Sequence, residues 1–141
     1  MPDDRGGPPR IAVVEDDDDF RQLLRLWLGR EFTVACFRSA DAFLAECELL
    51  RPDLVLLDFG LPRMNGLEVA RELRARSALR ALPIILITAM PLERMDLPGL
   101  IRHGISEFVA KPIDYARLLD CVRRLTSRAV QPPPCFQKPA G

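Results

Sequence analysis

Apolar and polar positions fall in alternating blocks along the chain, and the blocks predict five strands and five helices. Residues 11–14 (IAVV) form a short apolar strand that runs straight into Glu15-Asp16-Asp17-Asp18-Asp19. Phe20, Leu23, Leu24, Trp27 and Leu28 then stand at i, i+3, i+4, i+7 and i+8, one apolar stripe of a helix. Residues 32–37 read as a second strand, and Ser39 caps a second helix with Phe43, Leu44 and Cys47 inward. Pro52 stops it. Residues 54–57 (LVLL) are a third, fully apolar strand that ends in Asp58 and then the breakers Gly60, Pro62, Asn65 and Gly66. A third helix carries Val69, Ala70 and Leu73; a fourth strand, residues 84–87, ends in Thr88; a fifth, 107–110, ends in Lys111-Pro112. The last helix, about 114–128, puts Leu118, Leu119, Val122 and Leu125 on one face. Strands that are apolar throughout, separated by one-sided helices, describe an α/β parallel sheet covered on both faces.

Pro91 and Pro98-Gly99 interrupt the region of the fourth helix. Proline inside a helix costs about 3 kcal/mol, so this helix is expected to be short, starting late or split near Pro98. Residues 1–9 read as a loose leader, 10–128 as one domain and the Pro-rich 129–141 as a flexible tail.

Composition removes several function classes. Lys plus Arg and Asp plus Glu are 20 each, so no basic excess argues for nucleic acid or an anionic membrane. No apolar run approaches the ~18 residues of a membrane span, and the N-terminus lacks a secretory pattern, so a cytoplasmic location is expected. Cys36, Cys47, Cys121 and Cys135 lack metal-site spacing and His103 is the only histidine, which argues against structural zinc. The first three cysteines read as reduced, buried thiols.

The chemistry gathers at strand ends. Parallel strands share one C-terminal edge, where ligands collect in open α/β sheets. Four of the five strands end there in a reactive polar group: Glu15 and Asp16, Asp58, Thr88, and Lys111. Taken singly, Asp58 is a metal ligand, a nucleophile or a helix cap, and Thr88 could simply satisfy a backbone group. Together, three carboxylates need a cation among them, and Mg²⁺ suits an oxygen site of this kind. Asp58 could then attack phosphorus to give an aspartyl phosphate, with Lys111 and Thr88 aimed at the developing charge. Asp17, Asp18 and Asp19 read as a solvated helix start.

With Glu15-Asp16, DFGLPRMNG from Asp58, Thr88-Ala89 and Lys111-Pro112 in this order, residues 10–128 resemble the receiver domain of two-component response regulators, of the CheY-like superfamily. The resemblance implies a flavodoxin-like (βα)5 three-layer sandwich with strand order 2-1-3-4-5. It implies phosphorylation of Asp58 by a histidine kinase or histidine phosphotransfer protein, and Mg²⁺ held by Asp16, Asp58 and the Gly60 carbonyl, with Glu15 acting largely through water. Thr88 and Lys111 would hold phosphoryl oxygens, and the bond before Pro112 would be cis. Phe108 stands where receivers carry a switching aromatic, although it fits an ordinary core position equally well. Homodimers through the fourth and fifth helices are common in such domains.

Only 13 residues follow Arg128, too few for a DNA-binding module. The output is therefore expected from a separate downstream effector protein, or the chain is a piece of a longer one. FRSADAFLA resembles receivers joined to helix-turn-helix effectors and keeps the second option open. Two other functions compete: a constitutive docking module that takes no phosphate, and an aspartate-nucleophile phosphatase, whose general acid would fall at Gly60. Neither Gly60 nor Met90, two residues after Asp58 and Thr88, can hold a hydrolytic water with its side chain, so a phosphorylated state should lose phosphate slowly. Loss of label within seconds would contradict this.

Overall fold

The computed structural model describes residues 7–127. In chain order the elements are β1 (Arg10–Val14), α1 (Asp18–Leu28), β2 (Thr33–Phe37), α2 (Ala40–Leu50), β3 (Leu54–Asp58), α3 (Gly66–Arg74), β4 (Ile84–Thr88), α4 (Leu97–Arg102), β5 (Ile105–Ala110) and α5 (Tyr115–Thr126). Single 3-10 turns at Ser77–Leu79 and Leu92–Arg94 precede β4 and α4. The five strands pair in parallel in the order β2-β1-β3-β4-β5, as expected. Residues 1–6 of the expected leader and the expected tail, Cys135 included, lie outside the described residues.

Successive strand residues point to opposite faces, and this divides the core in two. Ala12, Val14, Val55, Leu57, Ile84 and Leu86 meet Phe43, Val69, Leu73 and Leu100 on the side of α2, α3 and α4. Ile11, Val13, Leu56, Ile85 and Ile87 meet Leu24, Leu28, Leu118 and Val122 of α1 and α5 on the other. Every residue of β3 and β4 is buried, which is why their sequences show no alternation.

Side chains cap five helices. Asp17 accepts from the N–H groups of Asp19 and Phe20, Ser39 from Ala42, and Asp114 from Arg117. Asn65 and Glu68 form a reciprocal capping box at α3. Asp96 caps α4 through the Gly99 N–H, and a Cβ at Gly99 would run into the Asp96 carboxylate, so cap and glycine go together. Each such cap contributes about 1 kcal/mol.

The fourth helix is six residues long and starts late, with Pro98 in its first turn, where the missing N–H has no partner to lose. Other boundaries shift by a residue or two. β5 begins at Ile105 because that residue pairs with Ile84 beside a bulge. Phe32 is outside β2; its N–H returns to the Leu28 carbonyl and its side chain is buried with α1. α5 ends at Thr126, whose hydroxyl donates back to the Val122 carbonyl at 2.7 Å. Leu23, expected on the buried stripe, is 48% exposed. Trp27 is partly buried and packs its ring 4.9 Å from that of Tyr115. Cys47 and Cys121 are buried, whereas Cys36 on the edge strand β2 is half-buried. His103 is half-buried at the end of α4, its Nδ1 2.9 Å from the Gly99 carbonyl.

Candidate functional site

The register fixes where the polar strand ends meet. Val14 lies beside Leu57, Asp58 beside Ile87, and Thr88 beside Ala110, so Glu15, Asp58, Thr88 and Lys111 emerge along one edge of adjacent strands. Glu15, Asp58 and Thr88 are buried, at 2%, 6% and 3% exposed. Asp16 is exposed, at the outer side of the cluster. One carboxylate oxygen from each of Glu15, Asp16 and Asp58 falls within a 4.8 Å spread.

Few protons satisfy these oxygens. Asp58 Oδ1 accepts from the Gly60 N–H at 3.1 Å, in the turn that leaves β3. Its Oδ2 is 3.4 Å from Lys111 Nζ, within ion-pair range but long for a hydrogen bond. Glu15 Oε2 accepts from the Asp17 N–H at 3.1 Å. Glu15 Oε1 is buried and accepts no hydrogen bond, with Lys111 Nζ 3.8 Å away. Burial pushes the Glu15 carboxyl up to about 7, and the Asp58 carboxylate adds to the rise. The Asp17 N–H and the Lys111 ammonium oppose it.

A buried carboxylate oxygen that accepts no hydrogen bond, beside two further carboxylates, is costly unless a cation joins them. Hard oxygen donors this close fit a divalent ion of the magnesium type.

On the other flank, Thr88 Oγ1 accepts the Met90 N–H at 2.9 Å, which leaves its own hydrogen free to donate. The Lys111 N–H is bonded to the Thr88 carbonyl at 2.9 Å, and the Lys111–Pro112 bond is cis. Thr88 and the half-buried Phe108 both line a cavity of about 340 Å³ with Met90, Leu92 and Arg117. A Cβ at Gly60 would sit 3.8 Å from Asp58 Oδ1, an ordinary contact, so space alone does not demand glycine there.

Two residues of α1 also reach the site. Arg21 donates to the Glu15 carbonyl at 3.0 Å and pairs with Asp18. The Phe20 ring lies under Lys111 Nζ, 4.9 Å from its centroid. In sequence Phe20 registers only as a position of the apolar stripe, and Arg21 as a polar interruption of it.

The response regulator receiver domain model matches residues 11–123, from β1 to near the end of α5. The chain belongs to this family. Among curated relatives, the receiver is 41% identical over 126 residues to the transcriptional regulatory protein AruR of Pseudomonas aeruginosa, covering 85% of this chain and 50% of that one. It is 37% identical over 122 residues to the phosphate regulon transcriptional regulatory protein PhoB of Rhizobium meliloti, covering 86% and 53%. The chain thus spans about half the length of the curated relatives it matches.

Solved receivers superpose well. The signal receiver domain of a signal transduction histidine kinase from Syntrophus aciditrophicus gives a TM-score of 0.77 at 26% identity, covering 90% of this chain and 96% of that one. The receiver domain of the sensor histidine kinase PA1611 from Pseudomonas aeruginosa gives 0.76 at 27% identity, covering 85% and 98%. That structure holds a magnesium ion coordinated in its active site cleft.

Proposed function

We propose that this receiver is a phosphoacceptor switch. Asp58 takes a phosphoryl group from a histidine kinase or histidine phosphotransfer protein in a magnesium-dependent step, and the modified domain then binds a downstream protein differently. The observation that supports this most is the company Asp58 keeps: buried at a strand end, beside two carboxylates and 3.4 Å from one ammonium. A carboxylate in that setting is poised for nucleophilic work when the surrounding negative charge is neutralised.

In the proposed reaction an Asp58 oxygen attacks phosphorus. The bond from phosphorus to the donor's imidazole nitrogen breaks, and its electron pair leaves with the donor. Lys111 and the free Thr88 hydroxyl hydrogen donate to the phosphoryl oxygens, stabilising charge where it develops. Glu15, Asp16, Asp58 and the Gly60 carbonyl would hold magnesium, with Glu15 acting largely through water. The ion would supply neutralising charge for the incoming phosphoryl group. Phosphorylation adds about −1.5 to −2 charges. Rearrangement of Thr88 and Phe108 around the neighbouring cavity would pass the change to the surface.

Among the described residues no helix is long and apolar enough to cross a membrane. We assign the switch to the cytoplasm, acting through another protein or through a segment outside this chain, with homodimer formation through α4 and α5 as one available output. Acetyl phosphate with Mg²⁺ should add about 80 Da to the intact chain, and a chelator should prevent the gain. No gain from any donor would favour the constitutive docking module, and sustained turnover of phosphoesters the phosphatase.

Glu15 makes the site sensitive to pH. Its carboxyl titrates at about 7 in the fold against 4.5 ordinarily, so between those values the folded chain holds a proton that the unfolded chain has released. Metal-free protein should therefore lose stability as pH rises through that window, by up to about 3 kcal/mol, and level off above it. Mg²⁺ binds the ionised form, so its stabilising effect should be larger at pH 8 than at pH 5. Thermal melts of the parent and Glu15→Gln would test this: the variant should lose most of the slope, and a flat parent profile would contradict it.

A further inference from the structure

We propose that Phe20 is a positioning residue for Lys111: the face of its ring holds the ammonium over the pocket and so sets the rate at which Asp58 is phosphorylated. The inference rests on the functional reading above and deepens it. Lys111 Nζ stands 4.9 Å from the Phe20 ring centroid. Its two anionic neighbours are both beyond good hydrogen-bond distance, Asp58 Oδ2 at 3.4 Å and Glu15 Oε1 at 3.8 Å. The ammonium is therefore held by three weak contacts, and the ring is one of them.

The ring is the contact best suited to hold the amine in place. A lysine stem has about 2 kcal/mol of rotamer entropy to lose before its amine is fixed, and the Lys111 side chain is 30% exposed. The two carboxylates are also the candidate ligands of a divalent cation, so a bound cation competes with the ammonium for both. Phe20 has no such second duty. It sits in the first turn of α1, partly buried against the core cluster that includes Leu24, Ile87 and Val109. A cation over such a face gains about 0.5–2 kcal/mol, depending on how far it is desolvated. An ordinary core aromatic would bury its face against hydrocarbon. Phe20 instead faces the one lysine at the site.

The test uses the full chain with acetyl phosphate and Mg²⁺, reading the rate of mass gain. Phe20→Leu should react roughly fivefold more slowly, and Phe20→Tyr at close to the parent rate. Mono-, di- and trifluorinated phenylalanine at position 20 keep the ring's shape while draining its face of electron density, so the rate should fall stepwise along the series. A merely structural ring would give no such trend. A second readout needs neither metal nor phosphate: the ring current should shift the Lys111 ε-methylene protons upfield in the parent, and Phe20→Leu should return them to the ordinary lysine position. The chain contains two lysines, Lys111 and Lys138, so one Lys111→Arg variant assigns the signals. A parent chain that takes no phosphate would overturn the functional reading and this inference together. A parent that takes phosphate at a rate indifferent to fluorination, or whose Lys111 protons sit at the ordinary position, would overturn this inference alone.

Discussion

Asp58→Asn is expected to abolish the gain of about 80 Da under any phosphodonor and, at the same time, to raise the melting temperature of the metal-free protein. The two effects have different causes. Asparagine keeps the shape of the side chain and can still accept the Gly60 N–H through its amide oxygen. It has no anionic oxygen to attack phosphorus, so the loss of labelling should be complete. Stability rises because the parent gathers Glu15, Asp16 and Asp58 at one strand edge, two of them buried, and Asp58 pushes the Glu15 carboxyl upward. Removing one charge relieves that repulsion. The lost partner is Lys111 at 3.4 Å, on a side chain 30% exposed, and an ion pair so hydrated contributes about 0–1 kcal/mol. The balance favours the variant at pH 8, above the Glu15 titration, by roughly 3 °C. Added Mg²⁺ should stabilise the parent more than the variant. Labelling that survives in Asp58→Asn would mean that another carboxylate accepts phosphate. A fall in melting temperature would mean that the Lys111 contact outweighs the repulsion.

How much of this was legible in the chain depended on whether the cause was local. The strands were readable because β1, β3 and β4 are buried on both faces and so carry uninterrupted apolar runs. Their C-terminal residues were readable because parallel strands have no choice but to share an edge. Pro98 marked the short fourth helix because its effect acts within one turn. The first helix was misread on one flank. At 100° per residue, Leu24 and Leu28 bracket a direction from which Arg21 departs by about 40° and Leu23 by about 120°. The buried stripe is therefore centred toward Arg21, whose side chain is only 15% exposed, and away from Leu23. The pattern of apolar letters pointed the wrong way because an arginine could turn inward to a backbone carbonyl, that of Glu15. Phe20 was legible as an inward residue, but its contact with Lys111 joins positions 91 apart, and nothing near either residue announces it.

Arg74→Met is expected to cost about 3–5 kcal/mol, the largest loss of stability from any single change discussed here. By sequence Arg74 is a basic residue in the last turn of α3, a place where arginine ordinarily faces water and meets the helix dipole. In the fold its guanidinium turns inward and donates to four carbonyls. Nε bonds His103 at 2.9 Å, Nη1 bonds Leu79 at 2.9 Å, and Nη2 bonds Leu82 at 2.8 Å and Gly104 at 2.9 Å. These carbonyls belong to the turn before β4 and the turn between α4 and β5, so one side chain ties both turns to the end of α3. Gly104 completes the arrangement. Its φ of +81° disfavours any side chain, and a Cβ there would lie 2.8 Å from the guanidinium. Methionine would fill much of the volume but would leave the carbonyls without their donor, some of them shielded from water. Lysine should recover only part of the loss, because its donors radiate from one nitrogen and cannot span the two turns as a planar fork does. Single domains are commonly stable by only 5–15 kcal/mol, so Arg74→Met should shift the urea midpoint strongly and leave the protein near the limit of folding at 37 °C. Urea titrations of the parent, Arg74→Met and Arg74→Lys would decide it. A methionine variant within 1 kcal/mol of the parent would show that water satisfies those carbonyls and that the clamp contributes little to holding α4 against the sheet.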